Sequence, residues 1–227
     1  MARRNRSTPT RNPLSPRRIA AEAIALADDE GLEALSMRKL AQRLGVEAMS
    51  LYHHLPSKAS LLEAMAEELM GTLPEIPLRS GDWSECLLAA ARAWRSLATA
   101  HPGAFPLLAT RSQATPTLFK RLGGLLIVMA EAGFAPVARA RAISSFFTAL
   151  NGYLLAAGVP AFFRDVPEQA LEKLPEMDPG VAEAFAEIPA NAWSLSSDEA
   201  YEAHARVVIA GLAGLLPRSR RSPRQKP

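Results

Sequence analysis

Apolar positions recur at three- and four-residue intervals along most of the chain, the spacing of helices with one buried face. No stretch alternates convincingly with period two, so no strand is expected. Ser15-Pro16 reads as a helix start, serine capping and proline first in the helix. That helix runs to about Asp29 with Ile19, Ala23 and Leu26 inward, and Gly31 ends it. Leu32 and Leu35 plug the joint to a second helix, whose cap is Ser36 and whose buried face is Met37, Leu40 and Leu44. Gly45 ends it, since glycine takes a left-handed backbone without steric cost. Val46 opens a third segment anchored by Leu51 and Leu55. Pro56-Ser57 separates this from a fourth helix, Lys58 to about Gly71, with Leu61, Leu62, Met65 and Leu69 on one side.

Pro74 to Gly81 is a proline-containing linker, and the domain boundary is placed near it. A helix follows from Asp82 to about Ala100, broken by His101-Pro102-Gly103. A short segment covers Ala104 to Thr110, and a further helix spans Thr115 to Ala132, closed by Gly133. Pro136 to Gly158 is a long helix whose apolar face includes Ile143, Phe147, Leu150 and Leu154. Residues 159–180, with four prolines and several acids, read as mostly loop with a short helix. A turn or two of helix near Val181 to Glu187 precedes a last helix, Ser197 to Leu216. The expected division is a disordered basic arm (1–14), a front domain with its linking helix (15–73), a larger helical domain (74–216) and a disordered basic tail (217–227).

Residues 36–58 carry the strongest functional signal. A small residue at Ala41, a glycine at Gly45 and a buried aliphatic at Leu51 let two short helices cross steeply, as in a helix-turn-helix. Glu47, Ala48, Met49, Ser50, Tyr52, His53 and His54 remain on the open side of the second. An ordinary surface helix is the alternative, but such helices are usually rich in Lys and Glu. This one offers small, aromatic and hydroxyl side chains, suited to phosphates and base edges.

Charge sharpens that picture. The net +3 conceals six arginines and no acid in residues 1–18, and four arginines, one lysine and no acid in 217–227. Residues 1–60 are net +4 and residues 61–216 net −6. Positive charge sits where a polyanion would bind, and it makes such binding salt-sensitive. Arg17 and Arg18, at the entry to the first helix, are placed to grip DNA backbone or minor groove. The single cysteine, Cys86, excludes an intramolecular disulfide and a cysteine zinc site. No apolar signal core follows the basic N-terminus, and no apolar run approaches the ~18 residues of a membrane span. A cytoplasmic protein without membrane contact is expected. The four histidines make no zinc motif, and neither a phosphate loop nor a nucleophile elbow occurs. Glu67-Glu68 read as solvated helix surface. Catalysis is therefore not expected, nor is a metal or a cofactor. A helical ligand- or protein-binding module without operator binding stands as the other reading.

The segment Ser36-x-Arg38-Lys39-Leu40-Ala41-Gln42-x-Leu44-Gly45-Val46, then Leu51-Tyr52-x-His54, then Lys58 followed by Leu61-Leu62, closely resembles the signature of the TetR family of transcription regulators. The likeness covers about residues 15–70; further on, Trp83, Thr110-Arg111 and Ala132-Gly133-Phe134 are similar to landmarks of the family's namesake. It implies an all-α homodimer in which three helices bind a palindromic DNA operator, a fourth links, and the larger domain holds a small effector. Carried over, the DNA contacts are Arg38, Ala48, Met49, Ser50, Tyr52, His53, His54 and Lys58. Ala48 and Met49 depart from the namesake's base readers, so a different operator is implied. The positions of its drug-chelating histidines are Pro74 and Leu107 here, which argues against a metal–drug chelate.

An effector pocket is expected between helices 82–100, 115–132 and 136–158, walled by Trp94, Phe105, Leu108, Phe119, Leu122, Met129, Phe146 and Phe147. Arg95, His101 and Asn151 are its candidate polar anchors. Each apolar residue taken alone reads more often as plain core; Trp94 also matches an aromatic pocket residue of the namesake. A mostly apolar effector, released DNA and a repressor role follow. The last helix, with Val207, Val208, Leu212 and Leu215 beside Gly211 and Gly214, is expected to pair with helix 136–158 in a four-helix bundle across a two-fold axis. An internal core is the alternative there.

Overall fold

The computed structural model describes residues 13–78, 82–111, 114–157, 179–188 and 197–217. The basic arm before residue 13, the end of the linker at 79–81, most of the proline-rich stretch 159–180 and the tail beyond 217 lie outside these. The described residues form helices and no strand, an all-α chain. They are α1 (Pro16–Glu30), α2 (Met37–Leu44), α3 (Ala48–His54), α4 (Lys58–Thr72), α5 (Trp83–Ala100), α6 (Pro106–Thr110), α7 (Pro116–Glu131), α8 (Pro136–Ala157), α9 (Pro179–Ala186) and α10 (Asp198–Leu212). Short 3-10 turns follow α1 (Leu32–Ala34) and α10 (Ala213–Leu215).

Local chemistry sets most boundaries. The hydroxyls of Ser15, Ser36 and Ser57 accept from the amides of Arg18, Lys39 and Ser60, satisfying donors that a helix start leaves open. Ser60 returns the bond to the Ser57 amide at 3.0 Å, closing a reciprocal cap on α4. Gly45 sits at φ 66°, ψ 39° and closes α2 as the sequence predicts.

The third helix starts two residues later than Val46. The Val46 amide is spent on the Ala41 carbonyl at 3.0 Å, finishing the closure of α2, and Glu47 is extended.

One core runs through the chain. Ile19, Ala23 and Leu26 of α1 pack with Leu40 of α2, Leu51 of α3 and Leu61, Met65 and Leu69 of α4, all buried. The same α4 then meets α6 and α7, so it is shared by the front domain and the body.

Two polar joints fasten them. Asp28 on α1 faces His101 Nδ1 at 2.8 Å and accepts the amides of Gly103 and Ala104 at 3.1 and 2.9 Å. Glu67 on α4 accepts the Thr117 amide at 3.1 Å and the Thr117 hydroxyl, capping α7 from another helix. This corrects the expectation for Glu67-Glu68: Glu67 caps α7, and Glu68 pairs with Arg17 at 3.1 Å.

Burial raises the pKa of Glu67, but the Thr117 and Thr115 hydroxyls and the Thr117 amide outweigh it and leave the carboxyl below its ordinary value of 4.5. A folded pKa below the unfolded one stabilises above the unfolded value and is lost as pH falls through the folded one. Glu67→Gln should therefore be less stable than the parent at neutral pH and lose less further stability on acidification below 4.5. Urea midpoints across that range check it.

The faces of α8 and α10 differ in detail from expectation. On α8 the buried series is Ala142, Phe146, Leu150 and Tyr153, while Ile143, Phe147 and Leu154 are half-buried. On α10 Leu212 is buried and Val208 half-buried, whereas Val207 is 72% exposed and Gly211 is exposed, as are Gly214 and Leu215 in the turn that follows. Tyr201 locks α10 to α5, its buried hydroxyl donating to the Ala91 carbonyl at 3.0 Å.

Candidate functional site

Two surfaces stand apart from the core: the open side of α3 and a cavity in the body. Leu51 is fully buried and holds α3 against α2; Leu55, just beyond the helix end, is buried too. Met49 is 64% exposed and Tyr52 40%, with His53 and His54 exposed beside them. Large apolar and aromatic groups left in water on a two-turn helix are a surface awaiting something. Ala48 and Ser50 are only half-buried rather than open, because Ala48, one turn before Leu51, tilts toward the core.

The cations around α3 divide by partner. Arg43 is consumed by Glu22 and Asp29, both at 2.6 Å, and Lys39 by Glu30 at 2.7 Å, which staples α2 to α1. Arg38 is exposed and makes no ion pair with a described residue. Lys58 donates to the Leu35 carbonyl at 2.9 Å, so its ammonium is fixed at the joint between α1, α2 and α4. Arg17 is 83% exposed despite Glu68, and Arg18 is half-buried.

The cavity, about 550 Å³, lies between α4, α5, α6, α7 and α8. That is the size of a small-molecule site, which runs about 300–1,000 Å³. Trp94, Leu108, Leu122, Phe147 and Asn151 line it as the sequence predicts. Trp94 Nε1 donates to Asn151 Oδ1 at 2.8 Å, and Phe147 meets the indole edge-on at 5.4 Å between centroids.

Six other expected residues do not line it. Arg95 turns to the opposite side of α5, pairing with Asp198 at 2.6 Å and lying over the Tyr201 ring. His101 is spent on Asp28. Phe105 is a buried second layer behind Trp94, and Met129 is core, as is Phe146. Phe119 is 64% exposed, since α7 offers Leu118, Arg121, Leu122 and Leu125 to the cavity instead.

Residues missed from the sequence include Met70 and Leu73 at the end of α4, Ala90, Ser144, Thr148, Arg111 and Arg121. Helical spacing held the signal for some of them: Ala90 lies four before Trp94, and Ser144 and Thr148 run in steps up to Phe147 and Asn151.

The fold is thus a helix-turn-helix head joined by a shared helix to an all-helical body with a cavity. A model of bacterial regulatory proteins of the tetR family matches residues 19–65, and one of the tetracyclin repressor-like C-terminal domain matches residues 76–216. The chain belongs to the tetR family.

An HTH-type transcriptional regulator of Saccharopolyspora erythraea is 34% identical over 126 residues, 55% of this chain and 53% of that protein. The HTH-type transcriptional repressor DrrR1 of Streptomyces coeruleorubidus is 30% identical over 166 residues, 71% of this chain and 60% of the relative. The chain spans just over half the length of these curated relatives. Among solved structures, the Streptomyces coelicolor TetR family protein ActR in complex with actinorhodin is 26% identical, with a TM-score of 0.76 and coverage of 92% of this chain and 100% of that one. No helix among the described residues is long and apolar enough to cross a membrane.

Proposed function

We propose that this protein is a transcriptional regulator of the repressor type, which binds a palindromic operator as a dimer and lets go when a small, mostly apolar effector fills the cavity. The observation that carries the reading is the open side of α3, where Met49, Tyr52, His53 and His54 project from a helix whose other side is pinned by Leu51. A rod held this way fits a major groove. Arg17, Arg18, Arg38 and Lys58 flank it for phosphates, with Ala48 and Ser50 at the helix start allowing close approach. The division at residues 73/74, the DNA contacts and the effector contacts belong to this proposal. No catalytic role is assigned.

Dimerisation is supported by the exposed stripe of Val207 and Gly211 on α10 and Gly214 and Leu215 in the turn after it. A second copy covering it would set two reading helices one DNA turn apart, about 34–36 Å.

Helix α4 is the lever. Its last turn carries Met70 into the cavity wall, and Glu67 ties it to α7. An effector that binds better to a conformer with wrongly spaced heads shifts the population toward it, and a coupling of about 1–3 kcal/mol lowers operator affinity about 5- to 150-fold.

The function is tested by selecting duplexes from a random pool and measuring affinity against salt. A recovered palindrome with a steep salt slope supports the reading, and indifference to every duplex at low salt refutes it. Trp94→Ala should change effector response more than operator affinity, measured by anisotropy with and without effector. If folding alone suffers, Trp94 is core.

A further inference from the structure

We propose that the effector taken by the cavity is an aromatic anion: a flat apolar body carrying one acidic group such as a carboxylate or sulfonate. The inference rests on the reading of this cavity as the effector site and adds the charge of what fills it.

Arg111 and Arg121 both line the cavity, and among the described residues no Asp or Glu does. Neither arginine forms an ion pair with a described residue. Arg121 is part-buried. Its Nη1 donates to the Pro74 carbonyl at 2.9 Å and its Nη2 to the Leu73 carbonyl, while Nε is buried with no partner. Carbonyl oxygens satisfy donors but do not neutralise a charge. A guanidinium withdrawn from water without a counter-charge is costly, and an anionic ligand removes that cost.

Two arginines in one cavity wall with no described carboxylate beside them point to a ligand. On the far side of α5 three arginines find carboxylates: Arg92 and Arg206 share Glu202, and Arg95 takes Asp198; Arg139, which like Arg121 gives its Nη1 to a carbonyl, does not line the cavity. Glu67, on the helix that reaches the cavity, is turned to Thr117 instead. Residues 61–216 are net −6, so the bulk field repels anions and the attraction has to be local to this arginine pair.

The rest of the lining sets the body of the ligand. Trp94 and Phe147 supply aromatic wall, and Leu122 an aliphatic one. Ser144 and Thr148, about one helical turn apart on α8, offer hydroxyls for a second polar point. The amide of Asn151 is already taken by Trp94 and the Ala109 carbonyl. Arginine's planar fork suits a carboxylate or sulfonate, which it binds through paired charge-assisted hydrogen bonds.

The test uses the full chain and two probes that share one aromatic skeleton: 8-anilinonaphthalene-1-sulfonate, an anion, and N-phenyl-1-naphthylamine, which is neutral. Fluorescence titrations give the affinity of each. In Arg111→Gln/Arg121→Gln the ratio of sulfonate to amine affinity should fall by about 10-fold or more, with the amine itself little changed. Arg111→Gln alone, at the exposed edge, should lower the ratio in the same direction and guards against loosening of α4 in the double variant. Leu122→Trp, which narrows the cavity, should weaken both probes. A ratio that does not move in the arginine variants, while Leu122→Trp still blocks both probes, overturns the anion inference and leaves the cavity as the effector site. Probes indifferent to Leu122→Trp bind elsewhere, which overturns the site and this inference together.

Discussion

Replacing Tyr52 by alanine should weaken binding to the selected operator by about 5- to 150-fold, the ~1–3 kcal/mol that one well-made nucleic-acid contact carries. Tyr52 is 40% exposed on α3 and makes no hydrogen bond to a described residue, so its removal leaves no hole in the fold. Helix content, thermal midpoint and oligomeric state should stay as in the parent. That separation of effects distinguishes a reading residue from a structural one. Lys58→Ala gives the instructive contrast. Its ammonium also holds the Leu35 carbonyl, so this variant should lose both DNA affinity and some stability. Unchanged affinity in Tyr52→Ala would move the reading surface elsewhere.

Gly103→Ala should lower the thermal midpoint by several degrees. An added Cβ would stand 2.0 Å from the Ala27 carbonyl oxygen and 2.7 Å from the Asp28 Cα, both backbone atoms that no rotamer change can move. The turn after α5 would have to withdraw from the end of α1. Overpacking of this kind costs about 1–3 kcal/mol, or roughly 2–4 °C for each kcal/mol in a chain this long. The same withdrawal pulls the Gly103 and Ala104 amides off Asp28. Asp28→Ala, which removes the acceptor but leaves the packing, should show the smaller loss of the two. A melt of Gly103→Ala that overlays the parent would mean that the head and body are not clamped at this turn.

What the sequence carried well was local. Serine caps at 15, 36 and 57, the left-handed Gly45 and the buried series of α1, α2 and α4 depend on neighbours a few residues away. The joints were illegible because their partners are far apart in the chain: Asp28 with His101, Glu67 with Thr117, Arg121 with the end of α4. The cavity was half legible for a different reason. An apolar face looks the same whether it meets core or empty space. On α8, Phe146 and Leu150 fill core while Ile143 and Phe147, one position round the helix, line the cavity. Weighting large apolar side chains drew in Phe119 and Met129 and passed over Ala90, Ser144 and the two arginines, because only the rotation of α7 and α8 in the bundle decides which residues face inward. The open side of α3, by contrast, was readable as what remained after Leu51 and Leu55 were assigned to the core.

The central claim is that this open side reads a duplex groove. It is tested most directly by running the random-pool selection in parallel with the parent and with a variant carrying Met49→Ala, Tyr52→Ala and His53→Ala. The account predicts a palindrome enriched by the parent, with half-sites about one turn apart, and loss of that enrichment in the variant while weak, salt-sensitive DNA binding persists. Recovery of the same palindrome by the variant would contradict it.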